Sequence, residues 1–79
     1  MATAYDLINC ELGSEESIIE QLKSLPGIVE VHGTFGAYDI LAKIESSTVE
    51  DLRETITWNI RKMEKIRSTL TLMGIEGQS

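Results

Sequence analysis

Two strand-like runs in the middle of the chain lie so close together that one arrangement alone can join them. Ile28 to Phe35 and Tyr38 to Ile44 are separated by Gly36 and Ala37, whereas parallel neighbours need a crossover of about a dozen residues or more. The two runs are therefore predicted to form an antiparallel hairpin, punctuated by Gly33 and Gly36. The hairpin divides the chain into halves with the same order of elements. Upstream, residues 4–12 are rich in strand formers and lack helical periodicity. Gly13-Ser14-Glu15-Glu16 follows as a helix start with Ser14 as N-cap. Ile18, Ile19, Leu22 and Leu25 then form one apolar stripe, and Pro26-Gly27 ends the helix. Downstream, Ser46-Ser47-Thr48 opens a second helix, with Glu50 at capping-box spacing from Ser47. Its stripe is Val49, Leu52, Ile56, Ile60 and Met63. Strand chemistry returns from Lys65 to Met73, and Gly74 to Ser79 reads as a polar, fraying tail.

The predicted order is βαββαβ, two split βαβ units joined by a hairpin. Right-handed crossovers put both helices on one face of a four-stranded antiparallel sheet. That is an α+β, ferredoxin-like fold, a single domain over residues 1–79. Alternation assigns Val29, Val31 and Phe35, then Ile40, Ala42 and Ile44, then Leu70 and Leu72, to the helix-facing side. The uncovered face would carry His32, Leu41, Thr69, Thr71 and Met73. It is too apolar for a fully solvated sheet, which favours dimerisation through it into an α/β sandwich.

Composition supports self-association. A chain of 79 residues buries about 60% of the surface it exposes when unfolded, and chains this small usually need a further staple. Cys10 is the single cysteine and His32 the single histidine, so neither an internal disulfide nor a Cys/His metal site can be assembled. No cofactor is expected. No membrane span or signal peptide is recognisable, which points to a cytoplasmic protein. Seven Lys and Arg against 13 Asp and Glu give a net charge of −6. That is a poor basis for binding nucleic acid through phosphate neutralisation. The acids cluster early (Asp6, Glu11, Glu15, Glu16, Glu20) and the bases late (Arg61, Lys62, Lys65, Arg67). Helix-dipole complementation explains this most simply, and contact between unlike ends of neighbouring subunits is the alternative.

The segment from Leu25 to Ile40, Leu-Pro-Gly-Ile-Val-Glu-Val-His-Gly-Thr-Phe-Gly-Ala-Tyr-Asp-Ile, carries an L-P-G entry to a strand and a G-x-x-G-x-Y-D hairpin. Ile66-Arg67-Ser68-Thr69-Leu70-Thr71 adds an I-x-x-T-x-T strand. In this order the three features resemble the RAM domain (regulation of amino-acid metabolism), the effector-binding half of Lrp/AsnC transcription regulators. The resemblance covers nearly the whole chain, but no helix-turn-helix precedes it. It implies a stand-alone sensing and oligomerisation module that is not an enzyme and does not itself read DNA. It further implies homodimers assembling into an octamer or decamer ring, with an amino-acid effector between dimers. Association with full-length relatives is a further implied possibility.

An amino acid needs a partner for its ammonium, donors for its carboxylate and a wall for its side chain. The hairpin offers backbone donors at Gly36 and Ala37, where glycine permits close approach, and Asp39 for the ammonium. The resemblance adds Gly33, Tyr38, Thr69 and Thr71 as candidate ligand-binding residues. The plainer reading makes the glycines turn residues and the threonines strand formers. Tyr38 is equally a packing residue, Cys10 a small buried group, and Trp58, if exposed, an oligomer contact. A small α/β-barrel monooxygenase or isomerase would need His32, Tyr38 and Asn9, and fold analogy alone speaks for it. An assembly domain without a ligand is the remaining alternative. Asp6 is the local conflict, since it falls among strand residues that should be apolar. It must lie at the sheet's rim on the helix side or point into the dimer face.

Overall fold

In the computed structural model, residues 1–74 are described, and they form a four-stranded sheet with helical layers on one face. The strands are β1 (Ala2–Cys10), β2 (Ile28–Gly33), β3 (Ile40–Ser46) and β4 (Ile66–Met73). Helix α1 (Glu15–Lys23) links the first two, and α2 (Val49–Glu54) leads into a π-helical segment, Thr55–Ile60, before β4. The strand order β2-β3-β1-β4, with antiparallel pairing throughout, is the ferredoxin-like βαββαβ arrangement. The expected fraying of the tail concerns residues 75–79, which lie outside the described residues.

The helix-facing side of β1 and β3 is the centre of the core. Ala4, Ile8, Cys10, Ile40, Ala42 and Ile44 are buried there against Ile18 and Leu22 of α1, Leu52 of α2, and Ile56 and Ile60 beyond it. Helix α1 packs over β2 and β3, and α2 over β1 and β3. Leu52, Ile56 and Ile60 are spaced by four, and on an α-helix each such step drifts by about 40° from the last. The wider π turn, closed by Arg61 N–H donating to Ile56 O at 3.0 Å, keeps Ile60 facing the core.

The two strands that follow helices share a device that alternation alone does not reveal. In β2, Ile28 opposes Ile44 but Glu30 already opposes Lys43, so Val29 is an extra residue. In β4, Ile66 opposes Cys10 and Ser68 opposes Asn9, which makes Arg67 the extra residue. Such a bulge reverses the facing of every residue beyond it. Ile28 and Ile66 pack on the core, but Leu70 and Leu72 emerge on the uncovered face and are exposed. Thr69, Thr71 and Met73 instead face the helices, opposite the expectation from alternation. Val29 is exposed for the same reason, and Phe35 lies beyond the end of β2.

Each bulge follows a residue with positive φ, Gly27 at 88° and Lys65 at 73°. Their carbonyls accept equivalent hydrogen bonds, Gly27 O from Glu45 N–H and Lys65 O from Glu11 N–H, both 2.8 Å. The two halves thus repeat in geometry as well as in order. At the helix starts, Ser14 occupies the N-cap of α1 but makes no side-chain cap bond. The cap of α2 is Thr48 rather than Ser47, its hydroxyl accepting from Asp51 N–H at 3.1 Å. Val49, expected in the buried stripe, is exposed.

Candidate functional site

The predicted site residues fall into two groups on different parts of the molecule. The first is the β2–β3 connection. Gly33 closes β2 opposite Ile40, so it is a strand residue and not a turn glycine. Thr34 N–H donates to Asp39 O at 2.9 Å, and the Thr34 hydroxyl donates to Tyr38 O at 2.7 Å, drawing residues 34–39 into a closed loop. Gly36 has φ 119°, with nothing near the place a Cβ would occupy. Gly36 and Ala37 are exposed, so their backbone is open to a ligand. Tyr38 and Asp39 are half-buried in the loop, not in β3.

Asp39 ties this loop to β1. Its backbone N–H donates to Ile8 O at 3.0 Å, and its Oδ2 accepts from Cys10 N–H at 3.1 Å. One carboxylate oxygen is thus engaged in holding the loop. Burial, then the charges of Asp39 and Glu15, push the Cys10 thiol up. Cys10 is accordingly a protonated, inert core group at neutral pH.

The second group surrounds Thr71. Thr69 opposes Ile8, which also opposes Ile40, so Thr69 lies two strand spacings, about 10 Å, from the loop-bearing strand. Thr71 lies two residues further along β4 and donates its hydroxyl to Asp6 Oδ1 at 2.9 Å. Asp6 is on the helix-facing side of a central strand and 0% exposed. It is at neither the rim nor the dimer face. Its Oδ2 is buried without a hydrogen-bond partner. Burial raises its pKa, opposed by the Thr71 hydrogen bond and the Arg61 charge.

Beside this pair is a cavity of about 290 Å³ lined by Arg53, Ile56, Thr57, Arg61, Thr71 and Met73. Alternation alone pointed Thr71 the wrong way and did not bring the arginines to it. The fourfold spacing of Arg53, Thr57 and Arg61 was the available signal.

The uncovered face of the sheet is apolar along its middle. Tyr5, Leu7, Leu41, Leu70 and Leu72 share it, by register and burial. Charged groups flank them on the β2–β3 side. Lys43 Nζ lies 3.8 Å from Glu30 and 3.7 Å from Glu45, and 6.0 Å from the Tyr5 ring. His32 Nε2 lies 3.3 Å from Glu30. His32 is exposed in β2 and Tyr38 half-buried in the loop after it, and among the described residues no cluster could hold a metal ion. Trp58 is exposed on the outer helical surface, with Lys62 Nζ 4.0 Å from its ring centre.

Residues 3–76 match the model of the Lrp/AsnC ligand binding domain. The chain belongs to the Lrp/AsnC ligand-binding domain family. An uncharacterised HTH-type transcriptional regulator of Pyrococcus furiosus is 28% identical over 74 residues, covering 90% of this chain and 49% of that protein. The regulatory protein AsnC of Haemophilus influenzae is 31% identical over 61 residues, 77% of this chain and 41% of AsnC. The chain thus spans about half the length of these curated relatives. Among solved structures, FFRP-DM1 superposes with a TM-score of 0.91 at 37% identity, covering 95% of this chain and all of that one. No described helix is long and apolar enough to cross a membrane.

Proposed function

We propose that this Lrp/AsnC domain is a regulatory module that senses an amino acid and assembles with copies of itself, with no catalytic role. The observation that carries the reading is the uncovered sheet face. Its strip of Tyr5, Leu7, Leu41, Leu70 and Leu72, three of them more than a third exposed, is the kind of surface that a second sheet covers. Two such faces would stack into an α/β sandwich, and the dimers would join into an octamer or decamer ring. Exposed Phe35 and Trp58 are apolar contacts available for that second level of assembly.

The effector site is the hairpin, Gly33, Gly36, Ala37, Tyr38 and Asp39. Amides at Gly36 and Ala37 would receive the carboxylate and the second oxygen of Asp39 the ammonium. Thr69 and Thr71 face the helices of their own subunit, away from the hairpin. Association with full-length relatives through the same surfaces would give the module a route to influence transcription. Calorimetric titration of the intact oligomer with the twenty amino acids tests the sensing role. Heat with one of them, abolished by Asp39→Ala, is expected, and no heat with any would refute it.

A further inference from the structure

The cavity beside Asp6 has a chemistry that the hairpin does not explain. We propose that it is a second, intrasubunit site for a small aliphatic α-amino acid. The ligand's carboxylate would rest on Arg53 and Arg61, and its ammonium against the Thr71 hydroxyl, with the Asp6 carboxylate behind that hydroxyl. It shares with the hairpin reading the class of ligand and nothing else.

Arg53, Thr57 and Arg61 stand four residues apart on one helical face and line the same cavity. Neither guanidinium has a carboxylate partner within salt-bridge distance among the described residues. Both guanidiniums line the cavity, and either can hold a ligand carboxylate through bidentate hydrogen bonds. Also lining the cavity, Thr71 has its hydroxyl proton committed to Asp6 Oδ1. The Thr71 oxygen therefore meets the cavity as an acceptor, one that suits an N–H donor. Behind it, the Asp6 carboxyl is fully buried with Oδ2 unpartnered. Its charge, opposed only in part by Arg61, makes the Thr71 side of the cavity favourable for an ammonium.

Both charges are needed. A simple anion would face Asp6, and a simple cation would face the arginines. A zwitterion answers both charges, and Ile56 and Met73 offer an apolar seat for an alkyl side chain. The volume of about 290 Å³ lies near the lower end of ligand pockets, about 300 to 1,000 Å³, and suits an amino acid better than a nucleotide. The helix is π-wound over the lining residues Ile56 and Thr57, a winding often found at functional sites.

The test is residue-resolved NMR titration of the full chain with L-alanine, L-valine and L-leucine separately, and with acetate and methylammonium as half-ligands. At least one amino acid should shift the Ile56, Thr57 and Thr71 signals and bind at least about tenfold tighter than either half-ligand, a difference of about 1.4 kcal/mol. Asp6→Asn should weaken that amino acid by a similar factor while leaving acetate bound at least as tightly. Arg61→Gln, at an exposed position that leaves the fold intact, should weaken both. Asp39→Asn should leave the Thr57 and Thr71 shifts as they are.

No shift at Thr57 and Thr71 with any of the three amino acids would overturn the proposal. So would acetate binding as tightly as the amino acid. A response confined to Gly36, Ala37 and Asp39 would overturn this site and support the hairpin. Shifts at Thr57 and Thr71 with a silent hairpin would do the reverse.

Discussion

Asp6 sits in the middle of β1 with its side chain fully buried and one oxygen unpartnered. Its pKa is raised by burial, while an unfolded chain restores it to about 3.9. As pH rises above about 4, the unfolded chain releases this proton first, so stability falls until the folded pKa is passed and then levels off. Asp6→Asn should remove this fall and leave the protein more stable than wild type at neutral pH. Urea midpoints from acid to neutral pH would read this; equal slopes for the two proteins would count against it. A second residue-scale contrast lies in the two left-handed positions. Gly27 has φ 88°, and a Cβ there would lie 3.0 Å from Glu45 O, so Gly27→Ala should cost about 1–2 kcal/mol. Lys65 adopts φ 73° with a side chain, so Lys65→Gly should gain about 1 kcal/mol. Chemical denaturation of the two variants should move in opposite directions.

At the scale of elements, the order βαββαβ, the hairpin and most of the core were legible because helical stripes and strand runs each keep their own period. Ile18, Leu22, Leu52, Ile56, Ile60 and the Ile40–Ala42–Ile44 alternation all reach the core as their spacing implies. What spacing could not convey was a change of phase. One extra residue at Val29 and one at Arg67 depend on pairing with a neighbouring strand, which a single sequence does not display. The reversal at Arg67 moved Leu70 and Leu72 outward and Thr71 inward, taking the threonines from the hairpin and giving Asp6 a partner. Gly36 was legible as a turn residue, but Gly33 belongs to β2, Asp39 lies in the loop instead of the strand run assigned from Tyr38, and its use to bind Cys10 N–H was not legible. Helix capping shifted by one residue for a similar reason, since Ser47 and Thr48 are both competent caps. Thr48→Ala should cost about 1 kcal/mol, while Ser47→Ala should stay within about 0.5 kcal/mol. Thermal or urea unfolding of the pair checks which hydroxyl caps α2.

For the whole molecule, the uncovered face links size to function. One face of a four-stranded sheet is covered by helical layers, and the other is left with an apolar strip of Tyr5 and four leucines. The bulge in β4 sharpens that surface, because it delivers two leucines where alternation placed threonines. Self-association through this face would complete the burial that a small chain lacks alone. The resulting dimers would then join through a second set of contacts, where loops 34–39 could meet an effector. The most direct measurement is sedimentation equilibrium at micromolar concentration, on the wild type and on Leu70→Lys/Leu72→Lys. A dimer or larger assembly for the wild type, and a folded monomer for the variant, is the predicted result. A folded wild-type monomer, or a variant that assembles as the wild type does, would contradict the account.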